Sequence, residues 1–241
     1  MENASLANYT KDDNTQGMNN NRVMLSGSIV GEPKRSHTVF GEGFYELVLS
    51  VNRLSSMQDL IPITVPERLL ISENLKEGMV VTVKGQFRSY NKIVDGRSKL
   101  MLTMFVREIL HEASIDNPNV IELVGFICKP PIYRTTPFNR EIADILLAVN
   151  RTYNKSDYIP AIAWGRNARF AEALKIGERV NLSGRVQSRE YQKRLENGET
   201  ETRVAYEISI NKLSYEELPT QFDLGDTAFT AEDFDVSEVL A

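Results

Sequence analysis

Tyr158 and Trp164 share one parity of a short apolar run, and Arg185, Arg189 and Tyr191 share one parity of another. Flat rings interleaved with guanidinium groups suit association rather than bond-breaking. A ring offers a face on which a nucleobase stacks, and a cation neutralises a phosphate. Such contacts accept any base, because none of them reads a base edge. Arg151 and Arg166, close to the first run, extend the cationic set. Each member also has a plainer reading. Rings pack under helices or in subunit interfaces, and an arginine row is most often a solvated face. The combination on one surface favours the binding reading.

Covalent chemistry has less support. His37 and His111 are the two histidines, and neither has a neighbour at metal-ligand spacing. Cys128 is the single cysteine, which excludes an internal disulfide and a multi-cysteine metal site. It is expected to be inert at the end of a strand. No Gly-rich phosphate loop of the Walker type occurs, and the carboxylates are scattered. The expectation is a protein that is not an enzyme and holds no metal or cofactor.

The elements that must position these residues occur twice. Gly27, Pro33, Val51-Asn52-Arg53 and Ile61-Pro62 reappear 98 residues later as Gly125, Pro131, Val149-Asn150-Arg151 and Ile159-Pro160. Lys76, Gly78 and Gly85 reappear 99 residues later as Lys175, Gly177 and Gly184, and the turn Asp95-Gly96 corresponds to Asn197-Gly198 after a longer hairpin. In the second copy, apolar alternation marks strands over 120–129, 139–149, 157–164, 178–191 and 202–213. A helix is expected over 166–175, stopped by Gly177. In the first copy Pro66-Glu67 opens the matching helix. Five strands with a helix between the third and fourth is the order of the OB-fold.

The expected architecture is mainly all-β: two tandem OB-fold five-stranded barrels, each with one short helix. Its boundaries are a disordered N-terminus at 1–20, OB-fold 1 at 21–112, a linker at 113–118, OB-fold 2 at 119–213 and an acidic tail at 214–241. Parity assigns Val180, Leu182, Gly184, Val186 and Tyr206 to the core of the second barrel. Tyr133 and Phe138 lie near a loop and are left open.

The net charge of -5 is unevenly placed. Residues 20–112 carry 12 Lys/Arg and 10 Asp/Glu, and residues 119–213 carry 15 and 11. Residues 214–241 hold 8 acids and no Lys or Arg. Two mildly basic bodies with an acidic appendage are compatible with an anionic partner. The first residues lack the apolar core of a signal peptide and no run is long enough to cross a bilayer, so a cytoplasmic protein with no membrane partner is expected.

These features resemble the bacterial single-stranded-DNA-binding protein family. The second copy is the closer, through IELVGFICKPPIYRTT, AVNR, DYIPAIAWGRNA, LKIGERVNLSGRVQSREY and YEISINKL. The resemblance implies base stacking on Tyr153, Tyr158, Trp164 and Tyr191, and implies DNA rather than RNA. In the first copy Ser55, Leu60 and Pro66 stand at three of those positions. Tyr90 alone lies near the fourth, with Lys84 and Arg88 beside it on the outer face of its strand. The barrels are therefore expected to be unequal, the second being the main DNA binder and the first weaker or structural. The family also implies assembly as a homodimer of two-barrel chains. Its members commonly end in an acidic run closed by Pro-Phe, which recruits replication and repair proteins. This chain ends DTAFTAEDFDVSEVLA, so partner recruitment by the tail is a variant at best. Two alternatives remain: a primosome or recombination accessory protein acting through protein partners, and an OB-fold interaction module without nucleic-acid affinity.

Overall fold

A computed structural model describes residues 19–53, 55, 57–94, 96–111, 118–194 and 198–216. The linker except Pro118, nearly all of the N-terminal segment and the tail beyond Glu216 lie outside the described residues. The first half comprises β1 (Asn21–Val39), β2 (Glu42–Asn52), β3 (Gln58–Pro66), α1 (Glu67–Ser72), β4 (Val80–Val94) and β5 (Arg97–Leu110). The second comprises β6 (Asn119–Ile127), β7 (Ile132–Thr135), β8 (Glu141–Asn150), β9 (Ser156–Trp164), α2 (Arg166–Glu172), β10 (Arg179–Arg194) and β11 (Thr200–Tyr215).

Each half closes on itself. β2, β3, β5, β4 and β1 are neighbours in that order, and a further β1–β2 pairing completes the ring. β8, β9, β11, β10 and β6 repeat the order, closed by β6–β8. These are the two five-stranded OB barrels expected. Alternation puts Leu25, Leu49, Ile61, Ile63, Val83 and Phe87 inside the first, and Ile121, Leu123, Ile145, Ile159, Leu182 and Val186 inside the second. Tyr206 is half-buried against the second core.

The repeated glycines have a packing cause. A Cβ on Gly85 would lie 2.0 Å from the Phe105 carbonyl oxygen, and one on Gly184 would lie 2.2 Å from that of Ser209. Both sit at β-bulges, where Arg107 and Asn211 are the extra residues on the opposing strands.

Three details differ from the sequence expectation. β7 is an additional short strand after Pro130-Pro131, matching the outer part of the long first strand of barrel 1. α2 ends at Glu172, because the Leu174 N–H turns back to the Ala171 carbonyl at 3.0 Å, a tightened last turn. Ser214 and Tyr215, expected in the tail, continue β11. Tyr215 is held there by an edge-on contact with Phe170, ring centroids 5.0 Å apart.

The barrels are joined by the antiparallel pair β1–β6, with Asn21 opposite Leu123, Val23 opposite Ile121 and Leu25 opposite Asn119. Adding 98 to either partner regenerates the same ladder, so a local pseudo-two-fold axis passes through the Val23–Ile121 pair. Equivalent side chains reinforce it. Asn21 accepts from the Phe87 N–H and donates to its carbonyl, and Asn119 does the same with Val186.

Candidate nucleic-acid interface

The outer face of barrel 2 is assembled by β9, β11 and β10. Ile162 lies opposite Ser209, which lies opposite Arg185. Further along β10, Arg189 faces Ala205 and Tyr191 faces Arg203. Trp164 and Tyr158 share the outward parity of Ile162, six residues apart, so their Cα atoms are separated by about 20 Å of strand. Register thus places Trp164 at one end, Arg185 next, Tyr158 and Arg189 further down, and Tyr191 last.

Side-chain contacts hold this row in place. The Trp164 indole N–H donates to Ser209 Oγ at 3.2 Å, while the residue remains 39% exposed. Its edge is tethered and part of its surface is free. The Arg189 guanidinium stands 5.7 Å above the Tyr191 ring, a cation–π contact, and 3.8 Å from Glu207. Beneath the row Glu207 is buried and accepts from the Gln187 amide at 2.7 Å. Burial pushes the Glu207 carboxyl above its usual range, an effect that the hydrogen bond and Arg189 only partly offset.

The other expected site residues are dispersed. Tyr153 is 93% exposed at the tip of the β8–β9 turn, with a positive φ of 63°. Arg166 is exposed at the start of α2. In barrel 1, Lys84 pairs with Glu108 at 3.3 Å. Tyr90 is partly exposed, but the strand register equates it with Arg189 rather than Tyr191.

Arg151 and Arg88 are brought to the seam between the barrels, away from the row on β10. Arg151 pairs with Asp157 Oδ1 at 2.7 Å and donates to the Ser89 carbonyl of barrel 1 at 2.9 Å. Asp157 also accepts from the Ser89 N–H at 2.6 Å. The reciprocal seam repeats this motif: Arg53 pairs with Asp59 and donates to the Ser188 carbonyl, and the Ser188 N–H donates to Asp59.

The two seams differ in how well their charges are satisfied. Burial opposes ionisation of Asp59, yet both Arg53 nitrogens and the Ser188 N–H and hydroxyl hold its carboxyl below the usual value. Asp157, equally buried at 1% exposure, is pushed up by burial despite the Ser89 N–H, Arg151 and Arg88. The carboxyl oxygen Asp157 Oδ2 and the Nε atoms of Arg88 and Arg151 are buried without a hydrogen-bond partner.

Two residues of interest escaped sequence reasoning. Phe105 on β5 occupies the place of Ser209, as the β3–β5 and β9–β11 registers show. Half-exposed, it lies 5.5 Å from the Phe44 ring, with the Arg88 guanidinium 5.8 Å above it. Barrel 2 has a ring at Trp164 and a small residue at Ser209, whereas barrel 1 has Pro66 and Phe105. The signal was a large ring at an outward parity, between the buried Met104 and Val106. Arg107, on the bulge, donates to Gln86 at 3.0 Å; counting parity through a bulge misplaces such a residue.

Among the described residues, no group of three or more His, Cys, Asp or Glu is arranged to hold a metal. No helix there is long and apolar enough to cross a membrane. Cys128 is half-buried, its thiol pushed up by burial to about 11.

Comparison with known proteins bears on this geometry. Residues 118–215 match the family model described as the single-strand binding protein family. The single-stranded DNA-binding protein A of Bacillus subtilis is 37% identical over 81 residues, which covers 31% of this chain and 47% of that protein. A single-stranded DNA-binding protein of Clostridium tetani is 32% identical over 81 residues, 31% of this chain and 56% of its own. The chain spans about half the length of the curated relatives it matches. The solved single-stranded DNA binding protein of Thermus aquaticus shares the fold with a TM-score of 0.66 at 19% identity, over 87% of this chain and 98% of that one. The second barrel is thus the part of the chain similar to the single-strand binding protein family.

Proposed function

We propose that the chain binds single-stranded DNA without sequence preference and protects it during replication, recombination or repair. The row Trp164–Arg185–Tyr158–Arg189–Tyr191 carries this reading, because it alternates stacking faces and cations along one outer surface. The similarity of barrel 2 to proteins named for single-stranded DNA binding supports it. Tyr153 and Arg166 extend the contact at its edges. Bases stack on the rings, and the arginines neutralise phosphates. Barrel 2 supplies the main affinity; Tyr90, Lys84 and Arg88 of barrel 1 add a weaker contribution, with Phe105 as a further ring. The assembly implied by the resemblance is a homodimer, which sedimentation at several concentrations tests.

The test of binding uses the single tryptophan. Titration with a long oligo-dT at several salt concentrations is expected to quench Trp164 fluorescence, with affinity falling as salt rises. Absence of binding at low salt would leave an interaction module without nucleic-acid affinity. Binding without quenching would move the site away from Trp164.

A further inference from the structure

The two seams between the barrels are related by the pseudo-two-fold axis but not by charge. Around Asp59 the acids are Asp59 and Glu207, and Arg53 makes a two-nitrogen bond to the aspartate. Among the described residues lining the seam at Asp157 there is one acid and three guanidinium groups. Arg88, Arg107 and Arg151 line a pocket of about 40 Å³ together with Asp157, Gln86 and Thr152. Register gives the counterparts of Arg88 and Arg107 as Gln187 and Asn211, both uncharged.

The excess positive charge is held there by construction. The bulge that re-aims Arg107 brings it to Gln86, whose amide oxygen also accepts from Arg88. Arg88 lies 4.0 Å from Asp157 Oδ2, too far for a hydrogen bond. Burial lowers the Arg88 pKa, and Arg151 and Arg107 lower it further against the pull of Asp157. Three like charges at one site, with buried Nε donors unused, are an arrangement that an oxyanion completes. A volume of this size exceeds what one water requires.

We propose that this seam is an oxyanion site that seats a backbone phosphate of the bound single strand at the crossing from barrel 2 to barrel 1. This rests on the single-stranded-DNA reading above. Tyr158, adjacent to Asp157, donates its backbone N–H to Ser89 Oγ of barrel 1, so the row on β9 ends at this seam. Beyond the pocket stands Phe105 under Arg88, the next ring in the path. The reciprocal seam, balanced in charge, does not take a phosphate.

The experiment compares wild type with R88Q/R107Q, which installs at position 88 the residue that barrel 2 tolerates at 187. Anisotropy of labelled oligo-dT is followed against salt, with one oligonucleotide short enough for a single barrel, about 8 nucleotides, and one of about 30. For the long strand the variant is expected to bind three- to tenfold more weakly, with a salt slope smaller by about 0.7 for the one phosphate lost. For the short strand, which barrel 2 holds alone, both values are expected to be unchanged. The charge-matched variant R35Q/R68Q, altered at exposed barrel-1 cations, keeps wild-type values. Identical behaviour of R88Q/R107Q and wild type, or equal weakening on both strands or by the control, overturns the seam site. If wild type binds neither strand at low salt, the broader reading has failed as well. R107Q alone, at an exposed position, repeats the long-strand test should the double variant unfold.

Discussion

Barrels 1 and 2 share a topology, a register and a pair of bulges, yet they present different outer surfaces. Barrel 2 carries Trp164 on β9 with Ser209 beneath its indole edge; barrel 1 carries Pro66 on β3 and Phe105 on β5. Barrel 2 buries the uncharged Gln187 against Glu207; barrel 1 has Arg88 and Thr103 at those positions. The inward positions are apolar in both barrels because each must fill a small closed core, even where Phe87 stands for Val186 and Ile63 for Ala161. The outward ones are free to differ, and there the surfaces of the halves diverge.

The comparison breaks most visibly at the seams. Asp59→Asn removes a fully satisfied buried carboxylate and leaves Arg53 without its partner, so calorimetry is expected to show a loss of about 3 kcal/mol. Asp59 is held below its usual value, so its contribution is present above the ordinary carboxylate range and lost as pH falls through its folded value. The gap between wild type and variant should therefore narrow in acid; a constant gap would refute the assignment. Asp157→Asn should cost less, about 1 kcal/mol, because burial already disfavours its charge. Its folded pKa is raised, so the folded state takes up the proton first and lowering pH through that value should strengthen the wild type relative to the variant; chemical denaturation across pH showing the opposite sign would overturn this.

Binding variants sharpen the same contrast. Trp164→Ala is expected to weaken oligo-dT binding by about 2 kcal/mol, read by anisotropy since the fluorophore is gone. Phe105→Ala should cost about 1 kcal/mol, and only on strands long enough to reach barrel 1. Equal losses from the two would mean that the barrels contribute alike. The smallest effect is expected from Lys84→Gln, whose exposed pair with Glu108 contributes about 0.5 kcal/mol or less to stability in a melting curve.

Much of the fold was legible because duplication supplied an internal check on each strand. The strands and the inward parity of Val180, Leu182 and Val186 followed from alternation, the helices from the Ala/Leu run at 168–174 and from Pro66-Glu67, and the closed order from the position of the helix between the third and fourth strands. β7 did not, since Pro130-Pro131 reads as a turn and four residues give too little periodicity. The row from Trp164 to Tyr191 could be read because each member lies at a fixed parity on a regular strand. The seam could not. Asp59 and Asp157 meet Ser188 and Ser89 across distances in sequence that no local pattern encodes, and Arg151 is drawn into that contact. Arg107 was lost for a different reason: one extra residue at the bulge shifts the local alternation.

The β1–β6 junction has one more consequence. Two identical barrels joined about a two-fold axis would present a ligand with the same surface from either direction. Here the axis survives in the backbone through Val23 and Ile121, while the side chains around it have diverged. A single strand has a 5′ and a 3′ end, and an asymmetric track distinguishes the two. On the single-stranded-DNA reading proposed above, the two directions of a strand laid across this chain would meet different side chains.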